Sequence, residues 1–376
     1  MGTPFFRVDS IGVNVTVTCT DAAFLASLQS AWEPATLPDT APAAARTVDP
    51  LMSEEEAAQL LTTEVTLSAL QAQRGNLLML HAAGLADDHG RVAALIGPSG
   101  RGKTTAARTL AAHFGYVTDE TVAITAEDRV LPYRKPLSVI VPGSPYKVQL
   151  SPVSLGLKPL PDAPLTLSHL VLLDRRESHE GTARIEAVPL VEALTEIIPQ
   201  TSYLRELERP LQWLAALAER TGGVVRIVYA ESHSLPDALQ AVLDGAGRHD
   251  GEWAAVVPDA ELGVAAEGDG ESLVPLTVLD AVEAEGQTAV LQSDGMLQHL
   301  QGVGPVLWRG LCRGESPDQL TARVEEAFGP APDGDTAAAL RDVLEAFWQS
   351  GLLSRVSPAE GVQEDPAAGQ SVAAGR

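Results

Sequence analysis

The chain has 376 residues, 45% of them hydrophobic, and its 50 acidic residues against 26 lysines and arginines give a net charge of −24. This length predicts two domains with room for an additional N-terminal lobe. The acidic charge argues against nucleic-acid and anionic-membrane surfaces, which recruit basic patches, and no apolar stretch is long enough to span a bilayer. Two cysteines and the lack of a secretory signal pattern predict a cytoplasmic protein without a disulfide framework.

Residues 1–76 are predicted to form an N-terminal lobe packed on a larger core. Alternating valines over Val13–Val17 are typical of a half-buried strand. The Ala/Pro-rich stretch 34–50 predicts a loop. Ser53 and the three glutamates after it predict a capped helix start, and the helix runs to about Ala72.

A complete phosphate-binding sequence, G-x-x-x-x-G-K-[ST], follows an apolar run at 92–96 that suits a buried strand. A helix is predicted over 104–114, with Gly115 as its stop. Glycines let successive amides face phosphate oxygens, Lys103 would reach the β and γ phosphates, and the Thr104 hydroxyl would bind Mg²⁺. ATP and Mg²⁺ are therefore the predicted cofactors, and a Gly-rich turn without a ligand is the alternative. The predicted nucleotide-binding residues are Gly97, Pro98, Ser99, Gly100, Arg101, Gly102, Lys103, Thr104 and Thr105.

Carboxylates that could handle the metal or activate a hydroxyl occur in two places after this loop. Asp119 and Glu120 interrupt a strand predicted over 116–124, and Asp174 ends a buried strand predicted over 170–174. A solvated turn is the alternative for Asp119, and a salt bridge to a neighbouring arginine is the alternative for Asp174. His81 lies in an apolar strand predicted over 77–85, where a histidine taken alone is more often a core residue than a catalytic one.

The lysines are confined to one segment, with one in the phosphate loop and three after it: Lys103, Lys135, Lys147 and Lys158. A compact ammonium suits phosphate as a point charge. Lys135 and Lys147 are therefore candidates for contacts with phosphate or substrate, and compositional drift in an arginine-rich chain is the alternative.

The rest of the chain divides at a polar, Gly-containing break over 245–251. Before it we predict long loops with short strands over 131–165, helices near 188–198, 207–220 and 236–243, and a strand over 224–229. The predicted divisions are a kinase domain at 77–245, a C-terminal domain at 253–356, which opens with a strand over 253–257, and a disordered tail at 357–376.

Three segments together resemble the catalytic core of the HPr kinase/phosphorylase family: His81–Leu85, Leu95–Thr105 and Tyr116–Val122. In that family a histidine strand precedes the phosphate loop and an acidic pair follows its helix. The resemblance implies that Asp119 is the catalytic base for a serine hydroxyl, with His81 as its partner and Thr104 and Glu120 on the metal side. It also implies an α/β, phosphoenolpyruvate-carboxykinase-like P-loop kinase fold with a mixed sheet, and it leaves open a homo-oligomer.

The sequence departs from that family in its acceptor side. Glu120 stands where the family has Asp, no Arg-Gly-Leu-Gly-type segment of the HPr-directed enzymes occurs, and residues 1–70 look unrelated to the bacterial enzyme's N-terminal domain. The pattern is closer to homologous kinases found beside gene sets for modified peptides, including lasso peptides. There the acceptor is a serine of a precursor peptide.

A second resemblance covers three C-terminal segments: Leu297–Trp308, Pro317–Phe328 and Val343–Leu353. Their hydrophobic spacing is similar to that of the PqqD family of small, α-rich, winged-helix-like domains, which bind the leader of a precursor peptide. An ordinary helical cap, with Trp308, Phe328, Phe347 and Trp348 as core residues, is the alternative.

The sequence therefore predicts an ATP-dependent kinase acting on a Ser/Thr hydroxyl of a precursor peptide or small protein. The main alternative is a nucleotide-gated peptide-binding or assembly factor without phosphotransfer. An ABC-type ATPase is disfavoured because no Leu-Ser-Gly-Gly-Gln-like signature occurs.

Overall fold

The computed structural model of the protein describes residues 3–38, 44–98, 102–258, 272–275, 278–332 and 334–356. Its N-terminal part is a four-stranded sheet in the order β3-β1-β2-β4, contacted by two helices. These elements are β1 (Phe5–Ser10), β2 (Val13–Thr18), α1 (Ala22–Ala31), β3 (Thr36–Leu37), β4 (Ala44–Thr47) and α2 (Glu54–Ala72).

The predicted strand at 13–17 and the predicted helix to Ala72 are both confirmed, and the Ser53 hydroxyl accepts from the Glu56 amide as the helix cap. The loop predicted over 34–50 is wrong in part, because β3 and β4 lie within it. Each pairs with an open edge of the β1–β2 hairpin, so sheet pairing outweighs the Ala/Pro-rich composition.

The central part begins with strands that alternate between two sheets and continues into helices on both faces. Its elements are β5 (Leu78–Leu80), β6 (Ala82–Ala86), β7 (Arg91–Ile96), α3 (Lys103–Leu110), β8 (Gly115–Thr118), β9 (Val122–Ile124), β10 (Val130–Leu131), β11 (Leu137–Val139), β12 (Val148–Leu150), β13 (Thr166–Arg175), β14 (Arg184–Val188), α4 (Leu190–Ile197), β15 (Thr201–Ser202), α5 (Pro210–Thr221), β16 (Val224–Tyr229) and α6 (Leu235–Leu243).

A six-stranded mixed sheet, in the order β14-β16-β13-β7-β6-β8, forms the centre of the fold. Strands β7, β13 and β16 run parallel, and β14 and β6 are antiparallel to them. The edge strand β8 is antiparallel to β6 and so runs in the same direction as β7. Successive residues of β7 enter opposite cores: Ala94 and Ile96 pack with α4 and α5, and Ala93 and Leu95 pack with α3 and α6. Burial on both faces explains the continuous apolar runs of these strands. The predicted α/β class with a mixed sheet is confirmed.

Helix α3 begins one residue earlier and ends four residues earlier than predicted. Leu110 is its last residue, and Gly115 opens β8 instead of stopping the helix. A Cβ on Gly115 would lie 3.0 Å from the carbonyl oxygen of Pro159. Close approach of the two backbones, and not a helix stop, therefore explains this glycine.

The remaining elements are β17 (Trp253–Ala255), β18 (Ser272–Pro275), β19 (Val278–Ala284), β20 (Gln287–Gln292), β21 (Leu297–Leu300), α7 (Gly304–Cys312), α8 (Pro317–Phe328), α9 (Thr336–Gln349) and β22 (Leu353–Val356). The strand predicted over 253–257 is thus shorter, ending at Ala255. No helix in the described ranges is long and apolar enough to cross a membrane.

The described residues form two compact units, those within 1–255 together with 279–300, and those within 256–278 together with 301–356. The segment 253–356, predicted as one domain, is therefore divided between them. Strands β19–β21 belong to the first unit because their apolar residues enter its core, and because buried Asp280 accepts from the Gln212 amide at 2.9 Å in the first turn of α5.

The second unit contains α7, α8, α9 and the antiparallel pair β18–β22. Trp308 is buried and donates to the carbonyl oxygen of Val256 at 2.8 Å, and Phe347 is also buried. Phe328 is 55% exposed and Trp348 is 37% exposed, so the expectation that all four aromatic side chains are core residues is wrong for these two. The predicted tail at 357–376 lies outside the described residues.

Candidate active site

The phosphate-binding sequence connects β7 to α3, in the predicted strand–loop–helix order. Gly97, Pro98 and Gly102 to Thr105 are described, and Ser99, Gly100 and Arg101 lie outside the described residues. Gly102 precedes the helix at φ +90°, in the left-handed region that favours glycine. The buried Lys103 ammonium donates to the carbonyl oxygen of Gly97 at 2.5 Å, across the ends of the loop.

The electrostatic surroundings of Lys103 include a carboxylate. Burial lowers the pKa of Lys103, and the nearby Glu120 carboxylate offsets part of that effect. A desolvated ammonium of this kind gains most from a second anion, such as a phosphate.

His81 and the acidic pair lie where the chain crosses twice between the same two sheets. Strands β5 and β9 pair in a four-stranded sheet, in the order β10-β9-β5-β15, and β6 and β8 pair in the six-stranded sheet. His81 is the single residue between β5 and β6, and residues 119–121 join β8 to β9. The strand predicted over 77–85 is therefore two strands, and the chain bends at His81. The predicted interruption of the 116–124 strand is confirmed.

The Thr118 hydroxyl stabilises the turn formed by residues 119–121. Thr118 Oγ1 accepts from the amides of Glu120 at 3.1 Å and Thr121 at 3.2 Å. This local turn lets two neighbouring carboxylates face the same region, although successive residues of a regular strand face opposite sides.

Asp119 is buried, with 3% of its side chain exposed, and its Oδ1 atom has two partners. The Tyr116 hydroxyl donates to it at 2.9 Å, and the Lys135 ammonium lies 3.0 Å from it. Burial, and then the adjacent Asp119 charge, raise the pKa of Tyr116 well above its usual range, so the phenol keeps its proton. Within the described ranges, Oδ2 of Asp119 accepts no hydrogen bond.

Glu120 is paired with two basic side chains. Its Oε1 lies 3.4 Å from His81 Nδ1, and its Oε2 lies 3.6 Å from Lys135 Nζ. Burial alone would raise the pKa of Glu120, but the hydrogen bond from His81 and the charge of Lys135 outweigh burial and lower it to about 2. Glu120 is therefore ionised at neutral pH.

Lys135 is the cation shared by both carboxylates. Only 1% of its side chain is exposed, and it also donates to the carbonyl oxygen of Pro136 at 3.1 Å. Burial would lower the pKa of Lys135, but Asp119 and then Glu120 raise it above its ordinary value.

One open cleft, with a volume of about 1430 Å³ including space open to solvent, brings the loop and the acidic pair together. The predicted site residues that line it are His81, Gly102, Lys103, Thr104, Thr105, Asp119 and Glu120, and Lys147 lines it as well. Asp174 does not line this cleft. Its Oδ2 accepts from Arg176 Nε at 2.7 Å, which is the salt-bridge alternative considered for this residue.

Sequence reasoning missed Tyr116 as a partner of Asp119 and left Lys135 undecided. The signal for Lys135 was its place among the lysines after the phosphate loop. The signal for Tyr116 was weaker: its hydroxyl lies three residues before Asp119, on the strand that leads to Asp119.

The described residues also allow a test of fit for Mg²⁺. Thr104 and Glu120 supply a hydroxyl and an ionised carboxylate to one cleft, and no group of three or more His, Cys, Asp or Glu in the described ranges could hold a metal ion. Mg²⁺ is commonly bound through one or two protein oxygens together with substrate phosphates, so these residues fit that ion.

The comparisons with known proteins find similarity among solved structures only. No family model matches the sequence, and no curated protein matches it. Among solved structures, the chain is similar to the Hpr(Ser) kinase/phosphatase from Coxiella burnetii, with 14% identity over 44% of this chain and 93% of that one, and a TM-score of 0.25. A TM-score of this size does not establish a shared fold, so the case for function depends on the residues of the cleft.

Proposed function

We propose that the protein is an ATP-dependent kinase that transfers the γ-phosphoryl group to a Ser/Thr hydroxyl. The acceptor in this proposal is a ribosomally made precursor peptide or a small protein. The observation that carries it is the single cleft lined by Lys103 and Thr104 of the phosphate loop and by the carboxylates of Asp119 and Glu120. Nucleotide binding alone requires the loop but has no use for a second, buried carboxylate beside it.

Asp119 is the base in this proposal. Tyr116 and Lys135 both bind Oδ1, so the carboxylate is held in one orientation and Oδ2 can accept the proton of an attacking hydroxyl. Catalysis in such a site is mainly positioning and charge stabilisation, so a carboxylate held by two donors is suited to it.

The phosphate side consists of Lys103, Thr104 and Glu120. Lys103 balances charge on the β and γ phosphates, while Thr104 and ionised Glu120 hold Mg²⁺. When bound, Mg²⁺ neutralises charge on the phosphoryl oxygens. His81 positions Glu120 through the contact at 3.4 Å.

The finer architecture belongs to the same proposal. We infer a phosphoenolpyruvate-carboxykinase-like kinase domain at 77–245, with residues 1–76 packed on it, and a PqqD-like, winged-helix-like peptide-binding region within 253–356. Support comes from the order of the three sequence segments around the phosphate loop and from the spacing of the C-terminal hydrophobic residues. A cytoplasmic location and a homo-oligomer remain part of this proposal.

The test is transfer of label from [γ-³²P]ATP with Mg²⁺ to candidate precursor peptides. Asp119→Asn should abolish labelling while a fluorescent ATP analogue binds with unchanged affinity. Asp174→Asn is the matched control, because its carboxylate pairs with Arg176 outside the cleft, and it should label peptide at the normal rate. Normal transfer by Asp119→Asn would show that the base is wrongly assigned. Peptide binding without label would favour the nucleotide-gated binding factor.

A further inference from the structure

The strand β11 presents an open edge to the catalytic cleft. It pairs only with β12 in a two-stranded sheet of the described residues. The cleft is lined by four successive residues of this segment, Leu137 to Ile140. Because successive strand residues point to opposite faces, a cleft that borders four in a row borders the edge of the strand and not one face.

An open strand edge recognises polypeptide in particular. It carries a row of backbone N–H and C=O groups, and an extended peptide satisfies them by adding a strand. A small alcohol has no repeating backbone with which to do this. The edge of β11 therefore favours a peptide over a small-molecule acceptor.

A second cleft leads away from Glu120 along α2, and we name it the α2 groove. It has a volume of about 810 Å³ including space open to solvent, and it shares Glu120, Ser138 and Lys147 with the catalytic cleft. No described residue of the phosphate loop lines it. A hydroxyl attacks opposite to the leaving group, so an acceptor should approach the acidic pair from a side without the loop. The α2 groove reaches Glu120 from such a side, and Asp119 lines the catalytic cleft that the groove joins there.

The wall of the α2 groove is one stripe of α2. Residues 59, 63, 67 and 70 follow the spacing of a single helix face. Leu67 is 57% exposed and Leu70 is half-buried, so the stripe offers an apolar surface beside the carboxylates. The Thr63 hydroxyl already donates to the Gln59 carbonyl at 3.0 Å, which leaves its oxygen free to accept from an incoming group.

We propose that the acceptor is an extended peptide segment that pairs with the open edge of β11 and places an apolar side chain, next to its acceptor hydroxyl, against Leu67 in the α2 groove. The phosphorylation of this segment rests on the proposed function, whereas its binding does not. The substrate class is thus an unfolded stretch of chain with a Ser or Thr beside a large apolar residue.

The first experiment compares nine-residue peptides that contain one serine flanked by alanines, with and without a leucine beside the serine. Phosphorylation and binding, the latter by fluorescence anisotropy of labelled peptide with a non-hydrolysable ATP analogue, are measured on the full chain. We expect the leucine peptide to have a KM and a Kd about tenfold lower. Equal values for the two peptides, or equal kcat/KM for free serine, would overturn the proposal.

The second experiment uses Leu67→Asp with Leu60→Asp as its matched control. Both leucines are exposed on α2, but Leu60, which is 43% exposed, lines neither cleft. Leu67→Asp should raise the KM for the leucine peptide about tenfold with the KM for ATP unchanged, and Leu60→Asp should change neither. Equal effects of the two variants would remove the α2 groove from recognition. Thermal unfolding checks that both variants stay folded.

The third experiment replaces backbone N–H groups of the leucine peptide by N-methyl groups, one position at a time. Strand pairing requires that methylation at alternate positions weakens binding and that the positions between tolerate it. Uniform tolerance would overturn pairing with β11. Leu67-dependent binding without phosphorylation would sustain this proposal and refute the kinase, whereas phosphorylation insensitive to Leu67 and to N-methylation would do the reverse. Neither binding nor phosphorylation would refute both.

Discussion

Replacing Lys135 by methionine removes the cation between Asp119 and Glu120 while keeping a side chain of similar length. Lys135 has 1% of its side chain exposed, so water cannot solvate the two carboxylates in place of the lost ammonium. Removing one member of a buried ion pair costs about 3–5 kcal/mol, because the partner charge remains uncompensated. Here two carboxylates lose their shared partner, and we expect a loss in the upper half of that range at pH 7.5.

The Glu120 carboxylate allows part of that magnitude to be worked out separately. A pKa of about 2 in place of 4.5 corresponds to about 3.4 kcal/mol of stability, before screening. Because 36% of the side chain is exposed, we expect about 1–2 kcal/mol. The pKa is lowered on folding, so in the native protein this contribution is complete above pH 4.5 and is lost as the pH falls towards 2.

The same reasoning gives Lys135→Met a distinct pH dependence. Without the cation, one of the charges that lower the pKa of Glu120 is lost, so that pKa rises and Glu120 takes up a proton at a higher pH than in the native protein. The cost of the substitution should therefore shrink between pH 7.5 and pH 5. Urea unfolding of both proteins at the two pH values measures it. Lys158→Met is the control, since the Lys158–Asp88 pair is exposed and should contribute less than about 1 kcal/mol. Equal costs for the two variants at pH 7.5 would refute the reasoning.

Three further predictions concern the loop, the histidine and the strand that leads to the loop. Lys103→Ala should weaken binding of a fluorescent ATP analogue about tenfold to a hundredfold, because a charged contact to phosphate is lost. His81→Asn should slow phosphoryl transfer about tenfold to a hundredfold, measured by single-turnover labelling, because Glu120 loses the contact that positions it for Mg²⁺. Gly90→Ala should cost at least about 3 kcal/mol in urea unfolding, since its Cβ would lie 2.3 Å from the Pro164 oxygen at a positive φ. Gly181→Ala has a similar φ but open space, and should cost about 1 kcal/mol.

The nucleotide side of the site could be predicted from sequence because its signal is local. The glycines, Lys103 and Thr104 are adjacent, and the apolar run at 92–96 and the helix after it follow from hydrophobic patterning. The apolar strand ending at Asp174 was equally visible in the sequence, but the role of the Asp174 carboxylate was not. Pairing of Asp174 with Arg176 depends on side-chain geometry at the end of β13, which no periodicity encodes.

The acceptor side could be predicted only in part, because contacts between distant segments create it. Lys135 is 16 residues from Asp119 in the sequence, yet its ammonium lies 3.0 Å from that carboxylate. The bend at His81 was also hidden, since residues 77–80 and 82–85 are apolar on both sides of it and both strands are buried. The composition correctly indicated buried strand, but it does not show that the segment's two strands belong to different sheets.

The double crossover explains why these particular residues meet. Leu80 pairs with Val122 in one sheet, and Gly84 pairs with Thr118 in the other. The segments between those pairs must therefore lie side by side, and they are residues 81–83, which begin with His81, and residues 119–121. A crossover frees a few residues from the sheet ladder, so polar side chains there need not alternate into the two cores. Strand β7 lies next to β6 and leads into the phosphate loop. The loop and the acidic pair therefore face one cleft. A chain that moved this crossover by one residue would send Asp119 to the opposite side, and the cleft would retain Lys103 and Thr104 without the buried carboxylate.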